Sequence, residues 1–337
     1  MAWVSDESEP LPLKLSPSLG FNNLTCSVST FAYIHKGDVL IYGLDGVLRQ
    51  TLVNDGGVRA MEVLLCSGED FDFLVVALNT GVQIWSSDGR RLIYVFDAKT
   101  APGSSTVDDG RNFTQGIAMV PRGRNFIVGC SDGDVFAFQA KTGPQGEACE
   151  LTATLRGHCQ PITCATADSE CCVSGDAGGT VIVWSIAKHL ERECSFDGDG
   201  TPATALCARD GSVVASYSTG HHILTALTFC CSGGRARGGG AARALAIEIA
   251  AHSRTINAMD LHPSSMLLAT VGEDLFLNVW ELPKCGQEGP SGQVGLVATS
   301  RVDNRLLTGV QFLVDGSHRI IGLAYDCDHL QIWHKLG

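Results

Sequence analysis

Short apolar stretches alternate with polar turns along the whole chain. Most of these stretches alternate apolar and polar residues or are rich in β-branched side chains, which is typical of β-strands. Four of them share one shape, namely a strand, a Gly/Asp turn and a second strand that ends in Trp85, Trp184, Trp280 or Trp333. A repeat of roughly 40–50 residues that contains only strands and turns is typical of a β-propeller blade.

The strand-like stretches fall into seven groups, so the sequence predicts an all-β fold with a single domain over residues 1–337. We expect residues 21–337 to form seven blades, each with strands a to d from the central channel outward. Six or eight blades remain alternatives, because the first and fifth groups are degenerate. Insertions predict loops at residues 101–112, 231–242 and 286–292 and a lengthened outer hairpin at residues 141–149.

The seventh group has only three strands, which would leave an exposed sheet edge and a site for aggregation. We expect the N-terminal segment, residues 1–20, to close the ring by supplying the missing outer strand. Residues 11–17 (LPLKLSP) alternate suitably. Pro12 and Pro17 fit an edge strand, where the missing N–H can face solvent.

Composition and charge limit the classes of partner that the chain is expected to bind. The chain has 337 residues and a formal net charge of −12, which argues against nucleic acid, because binding to phosphates depends on Lys and Arg. The N-terminus lacks the features of a signal peptide, and no apolar run reaches the ~18 residues of a membrane span. We therefore expect a soluble cytoplasmic protein whose 14 cysteines are reduced and mostly packed in strands.

The Gly-rich insertion at residues 231–242 predicts a flexible arm. Arg235, Arg237 and Arg243 give it positive charge. The arm is either a contact site or a plain spacer, and the sequence leaves both interpretations open.

The repeats resemble the WD-repeat β-propeller family. In that family a His before strand a, a Ser/Thr in strand b, an Asp in the b–c turn and a Trp in strand c form a hydrogen-bonded set. The residues of the sixth group that match this set are His252, Thr270, Asp274 and Trp280. The resemblance implies that they are structural rather than catalytic.

The fourth group matches the same set in part. It has His158, Ser174 and Trp184, but Gly178 stands where the turn Asp is expected. In the third group Asp132 occupies the turn, while Phe138 replaces the Trp. We expect blades without the complete set to depend on apolar packing.

A closer resemblance is to the WD repeat-containing protein 54 family, a divergent group within this class. Segments that carry it include FNNLT from Phe21, GHCQPITCATAD from Gly157 and the long stretch that begins AHSRTINAMDLHP at Ala251. The resemblance implies a protein–protein interaction module with no established enzymatic activity. WD-repeat propellers often serve in large assemblies, including ciliary and cytoskeletal ones.

Motifs for catalysis or metal binding are weak, so we predict no catalytic site, no metal site and no cofactor. The chain has no phosphate-binding loop, nucleophile elbow or zincin helix. One group of a histidine and four cysteines lacks zinc-site spacing. Its members are His158, Cys159, Cys164, Cys171 and Cys172.

Two other polar groups have simpler explanations. His221 and His222 are adjacent on a predicted strand, so their side chains point to opposite faces. Asp326, Asp328 and His329 fit a hairpin turn better than a hydrolytic site. A propeller enzyme would need clustered acids around the channel, where Glu62 and Asp260 are the only obvious ones.

The predicted function is a non-catalytic scaffold in a larger assembly such as a ciliary or cytoskeletal complex. It is expected to bind proteins with the face carrying the d–a and b–c connections. The residues expected to line this face are Arg59, Gln115, Gln160, Arg254 and Arg305.

The alternative is a regulatory peptide reader such as a ubiquitin-ligase substrate receptor. A receptor that docks on the ligase adaptor would often carry an Asp directly after the blade Trp. Here the residues in that position are Ser86, Ser185, Glu281 and His334, which weakens this alternative.

Overall fold

The structure, a computed structural model, describes residues 3–5, 11–100, 113–121, 123–143, 146–209, 212–218, 224–228, 245–282, 294–313 and 319–335. Within these ranges the secondary structure is β-strand apart from a short 3-10 helix at Ala98–Thr100. The described strands form seven antiparallel sheets. The innermost strand of each sheet contacts that of the next, and the seventh contacts the first. The predicted all-β propeller is therefore confirmed.

The first three blades follow the chain from inside to outside. Strands a to d of blade 1 are Thr25–Cys26, Thr30–His35, Asp38–Gly43 and Leu48–Leu52. Those of blade 2 are Ala60–Ser67, Asp72–Leu78, Gly81–Ser86 and Leu92–Asp97. Those of blade 3 are Thr114–Met119, Asn125–Cys130, Val135–Gly143 and Gly146–Leu155.

The next three blades repeat this order. Strands a to d of blade 4 are Ile162–Ala167, Cys171–Asp176, Val181–Ser185 and Glu191–Phe196. Those of blade 5 are Ala203–Arg209, Ser212–Tyr217, Leu224–Thr228 and Leu245–Ile249. Those of blade 6 are Ile256–Leu261, Leu267–Gly272, Phe276–Glu281 and Gly295–Arg301.

Blade 7 joins the two ends of the chain. Its inner strands are Leu307–Phe312, Arg319–Ala324 and His329–Lys335, and its outer edge is supplied by the N-terminal Trp3–Ser5 and Leu11–Pro12. Trp3 pairs with Lys335 at one end of strand c, and Leu11 pairs with Leu330 at the other.

The position of the closing strand differs from the prediction. An N-terminal strand closes the ring, but of residues 11–17 only Leu11–Pro12 pair with strand c. Trp3 supplies the apolar side chain that this edge buries, since it is 5% exposed and packs edge-on against Phe312 at 6.0 Å. Leu13 instead turns toward the b–c turn of blade 7, where its N–H donates to the carbonyl of Asp328.

The core lies between adjacent sheets, where strands b and c bring apolar side chains together. The buried clusters each join neighbouring blades, as where Phe73 and Val75 of blade 2 pack with Phe126 and Phe136 of blade 3. The hairpin of blade 3 is lengthened as predicted, because Lys141 pairs with Ala148. The predicted loops at 101–112, 231–242 and 286–292, the arginines of the arm and His221 and His222 lie outside the described residues.

A bulge recurs near the start of the inner strands. The register of strand a against strand b shifts there in the fifth, sixth and seventh blades, between Ala203 and Ala205, Ile256 and Ala258, and Leu307 and Gly309. A bulge disrupts the ladder locally and leaves a residue without its ladder partner. The backbone carbonyls of Thr204, Asn257 and Thr308 are therefore available for hydrogen bonds at the channel mouth.

Candidate functional site

Blade 6 contains a chain of four hydrogen-bonded side chains. The indole N–H of Trp280 donates to Thr270 Oγ1 at 3.0 Å. Thr270 Oγ1 lies 2.8 Å from His252 Nε2, and His252 Nδ1 lies 2.8 Å from Asp274 Oδ1. Asp274 also accepts from the N–H of Ser253 at 2.8 Å. These hydrogen bonds thus connect strands b and c to the loop before strand a.

Blade 4 contains an equivalent chain that ends on a different residue from the one expected. Trp184 donates to Ser174 Oγ at 2.8 Å, and Ser174 Oγ lies 2.7 Å from His158 Nε2. His158 Nδ1 lies 2.8 Å from Asp176 Oδ2. The expectation that Gly178 leaves this set without its Asp was wrong, because Asp176 occupies the role from two residues earlier.

Local backbone geometry explains this exchange. Asp176 closes the b–c turn itself, since its Oδ1 accepts from the N–H groups of Gly178 and Thr180, each at 2.9 Å. Gly178 packs against the following loop, where its carbonyl accepts from Gly200 N–H at 3.0 Å. A Cβ on Gly198 would lie 2.1 Å from that carbonyl, so the approach depends on glycine.

The acceptors indicate the tautomer of the two histidines. A carboxylate only accepts, so Nδ1–H donates to the Asp, and Nε2 of a neutral ring then accepts from the Ser/Thr hydroxyl that also accepts from the indole. Burial lowers the pKa of His158, and Asp176 opposes that shift only in part, so the ring is held neutral. Burial raises the pKa of Asp274, but the hydrogen bonds from His252 and from the N–H groups of Ser253 and Phe276 outweigh it, and the net pKa is lowered.

The five residues predicted to line the binding face lie on five different blades. Arg59, Gln160 and Arg254 are exposed, whereas Gln115 and Arg305 are half-buried. Asn79 of the b–c turn in blade 2 donates its N–H to the carbonyl of Arg59 at 3.1 Å. The d–a and b–c connections therefore share one face. None of the ion pairs among the described residues involves Arg59, Arg254 or Arg305.

The centre of this face is covered by residues 18–24, which we call the mouth segment. Asn22 donates its N–H to the carbonyl of Asn257 at 3.0 Å and its Nδ2–H to that of Thr204 at 3.2 Å. Asn23 donates its N–H to the carbonyl of Thr308 at 3.0 Å. These acceptors are the bulge residues of blades 5, 6 and 7, so the mouth segment bridges three blades at the d–a end of the channel.

Asparagine suits this position for two reasons. Asn22 has a φ of 51°, in the left-handed region that Asn tolerates better than most residues. The side chain of Asn23 is 5% exposed and bonds both to the N–H and to the carbonyl of Ile34, at 2.8 and 3.1 Å. Sequence reasoning missed this role, although the Asn-Asn pair within FNNLT was a visible signal.

Two inward-facing acids link neighbouring blades. Glu62 of blade 2 accepts from the N–H groups of Gly116 and Ile117 in blade 3, at 2.7 and 3.2 Å. Asp260 of blade 6 accepts from Phe312 N–H in blade 7 at 2.6 Å. Burial raises the pKa of each acid to about 7, against the opposing effect of these N–H groups. Because they lie in separate blades and each bonds to backbone, they do not form a paired-carboxylate site.

A groove lies on the same face between blades 7 and 1. It has a volume of about 710 Å³ and is lined by the chain after Leu13, the turn at His35 and Lys36, Arg305, and the b–c turn of blade 7. Asp326 and Asp328 lie in that turn and His329 begins strand c, which agrees with the hairpin interpretation. His329 Nδ1 bonds to Asp328 Oδ1 at 2.7 Å.

Comparison with known proteins decides the family. A family model described as WDR54 matches residues 61–334, most of the chain. The chain belongs to the WD repeat-containing protein 54 family. WD repeat-containing protein 54 of Mus musculus is 30% identical over 302 residues, which cover 83% of this chain and 84% of the mouse protein. WD repeat domain 54 of Rattus norvegicus is 28% identical over 261 residues, which cover 75% and 72%.

Solved structures share the fold. A chain in the crystal structure of the mitotic checkpoint complex superimposes with a TM-score of 0.72 at 13% identity, covering 98% of this chain and 92% of that one. The WD40 repeats of RRP9 superimpose with a TM-score of 0.71 at 14% identity, covering 98% and 99%. At these identities the likeness shows the fold alone.

Membership in the WD repeat-containing protein 54 family places this chain among propellers that typically bind proteins and are generally non-catalytic. Among the described residues, no helix is long and apolar enough to span a bilayer. The polar chains of blades 4 and 6 hold the blades together, whereas the face around the mouth segment is exposed to solvent.

Proposed function

We propose that this chain is a scaffold subunit that binds a partner protein on the face around the mouth segment. The observation that carries the proposal is an exposed apolar pair at the centre of a polar face. Leu19 is 65% exposed and Phe21 is 43% exposed, and both lie on the mouth segment. Apolar and aromatic residues at the centre of an interface, surrounded by polar residues, typically supply most of the binding energy.

The surroundings of this pair support the same face. Arg59, Gln160 and Arg254 are exposed at the entries to blades 2, 4 and 6. The two arginines can contact carboxylates or carbonyls of a partner without first breaking an ion pair. The mouth segment lies at this end of the channel, where its bonds reach blades 1, 5, 6 and 7, so a partner on this face contacts it.

The face is preformed, which favours binding. Hydrogen bonds fix the mouth segment to blades 1, 5, 6 and 7, because Ser18 N–H donates to the carbonyl of Ile34 at 2.9 Å and the two asparagines bond to the other blades. A surface that is already ordered loses little conformational entropy on association. Scaffolding by rigid presentation requires this property.

The test compares two residues of equal exposure on opposite parts of the ring. Phe21 and Leu92 are each 43% exposed, but Leu92 begins the outer strand of blade 2, away from the face. Native affinity capture with quantitative mass spectrometry should lose the stoichiometric partner in Phe21→Ser and in Arg254→Glu and keep it in Leu92→Ser. Melting temperatures should stay within about 2 °C of wild type, since exposed substitutions rarely change stability. Equal loss in all three variants, or no loss in the first two, would contradict the proposed face.

We also propose that the assembly is intracellular and belongs to a cilium or the cytoskeleton, because WD-repeat propellers commonly serve in such assemblies. Fluorescent tagging of the full chain tests this setting. Signal along a cilium or filaments, together with salt-resistant stoichiometric partners, is the expected result. A diffuse signal with salt-labile, sub-stoichiometric partners would instead favour the regulatory peptide reader.

A further inference from the structure

The b–c turn of blade 7 brings three different metal-ligating side chains together at the edge of the groove. They belong to the consecutive residues Cys327, Asp328 and His329. Cys327 follows the turn, Asp328 lies in a bend and His329 begins strand c. The thiol and the imidazole lie close together there, with Sγ 3.6 Å from Nδ1 and 3.9 Å from Nε2. All three donor atoms lie within 4.8 Å of one another.

These separations can be compared with those of a tetrahedral zinc site. Bond lengths of about 2.3 Å to sulfur and 2.0–2.1 Å to nitrogen place the two ligand atoms roughly 3.6 Å apart. The observed distance from Cys327 Sγ to His329 Nδ1 is 3.6 Å, which matches this separation.

The carboxylate needs a small adjustment. A tetrahedral ion would hold the nitrogen and oxygen ligands roughly 3.4 Å apart, whereas His329 Nδ1 and Asp328 Oδ1 now lie at hydrogen-bonding distance, 2.7 Å. The side chain of Asp328 is 90% exposed, so it can rotate by this amount without disturbing the fold.

The surroundings hold one ligand in place and leave the site open to solvent. Cys327 is 8% exposed and packs in the core between blades 6 and 7, with Leu307 and Val302, which holds its thiol in place. The same three residues also line the groove, so the side of the turn away from the core is open to solvent. A fourth ligand position can therefore be filled by water.

We propose that Cys327, Asp328 and His329 bind a divalent transition-metal ion of the Zn²⁺ class. Thiolate, imidazole and carboxylate are the ligands that Zn²⁺ prefers. Binding replaces the thiol proton of Cys327, which is released to solvent, and the hydrogen bond between Asp328 and His329. The ion strengthens the closure of the ring, because the carbonyl of Asp328 accepts from Leu13 N–H in the N-terminal segment that completes blade 7.

Cobalt titration of the metal-free, reduced full-length protein tests the proposal, because Co²⁺ bound to a thiolate absorbs in the near ultraviolet. We expect one equivalent to produce this absorption and Zn²⁺ to abolish it by displacement. Cys327→Ser and His329→Gln should each weaken binding at least tenfold. The matched control is Cys159→Ser, since Cys159 is an exposed free cysteine in the loop before blade 4 and should not affect binding.

A second measurement keeps the test independent of variants that fold poorly. Zn²⁺ should slow the alkylation of Cys327 in the wild-type protein, as read by mass spectrometry, and leave Cys159 reactive. No thiolate absorption at millimolar Co²⁺, binding unchanged in Cys327→Ser, or no protection of Cys327 would each overturn the proposal. Partner capture by Cys327→Ser is measured in parallel, because a metal site could fail while the scaffold function stands.

Discussion

Blades 4 and 6 hold the large side chain of strand c against strand b by hydrogen bonds, whereas blades 1 and 3 hold it by aromatic stacking. In blades 4 and 6 the Trp of strand c donates to a hydroxyl on strand b, and a histidine and an aspartate complete the chain. In blades 1 and 3 a second aromatic ring stands directly opposite on strand b. Tyr42 stacks on Phe31 and Phe138 stacks on Phe126, both at 5.1 Å with rings within 13° of parallel.

The difference teaches that the position matters more than the residue type. Phe126 pairs with Phe138 in register, as Cys172 pairs with Trp184 and Leu268 with Trp280. In blades 1, 3, 4 and 6 this position of strand c carries a large flat side chain, which either donates its N–H or stacks its face on a second ring. A buried polar chain stabilises only if every member is bonded, whereas an aromatic pair has no such requirement.

The largest expected loss of stability comes from removing one ring of the stacked aromatic pair in blade 3. Phe138 is fully buried, and Phe138→Ala leaves a cavity opposite Phe126, so we expect a loss of about 3–5 kcal/mol in the free energy of unfolding. Urea unfolding measures the loss, and hydrogen exchange of blade 3 peptides locates it. Phe138→Leu serves as the control and should lose less than half as much. A loss below about 1 kcal/mol would show that stacking does not replace the polar chain.

A smaller loss of stability is expected from removing the aspartate of the hydrogen-bonded side chains in blade 4. Asp176 is 1% exposed, and Asp176→Ala leaves His158 Nδ1–H and two backbone N–H groups without their acceptor. We expect a loss of about 2–4 kcal/mol by urea unfolding. The control is Asp132→Ala, because Asp132 lies in the b–c turn of blade 3, which has no histidine chain; it should lose about 1 kcal/mol or less. Equal losses in the two variants would contradict the role given to Asp176.

The smallest effect is the pH dependence that Asp274 of blade 6 contributes. The pKa of Asp274 is lowered in the folded chain, so its stabilisation is present above the unfolded pKa of about 3.9 and is lost as pH falls through the folded pKa. Asp274→Asn should therefore cost about 1 kcal/mol at pH 7 and less at pH 3. Thermal unfolding across this range measures the difference, with exposed Glu273→Gln as the control. A difference that is constant with pH would argue against an ionised Asp274.

Much of the fold follows from local sequence. Strands such as Asn125–Cys130, Asp38–Gly43 and His329–Lys335 have the bounds that alternation predicts. The His, Ser/Thr and Trp positions of blades 4 and 6 are also visible, because the repeat fixes their spacing. Blade 5 was harder to place, since its c and d strands are separated by the long insertion.

Features that depend on contacts distant in sequence were missed. The closing strand at Trp3–Ser5 lies in an acidic stretch with little alternation, and only the open edge of blade 7 gives it a partner. The mouth segment reads as an ordinary loop, because its acceptors are more than 180 residues away in the case of Asn22 and Thr204. Sequence spacing did not identify Asp176, because its role depends on the backbone path of the blade 4 turn rather than on its spacing from Ser174.

The sequence by itself determined the repeat, the strand bounds and the family, because alternation and turn chemistry act over a few residues. Only the tertiary structure decided which acid completes the chain in blade 4, which residues close blade 7 and what covers the channel. These depend on where the ring brings distant backbone groups within hydrogen-bonding distance, and a buried donor or acceptor takes whichever partner the fold provides.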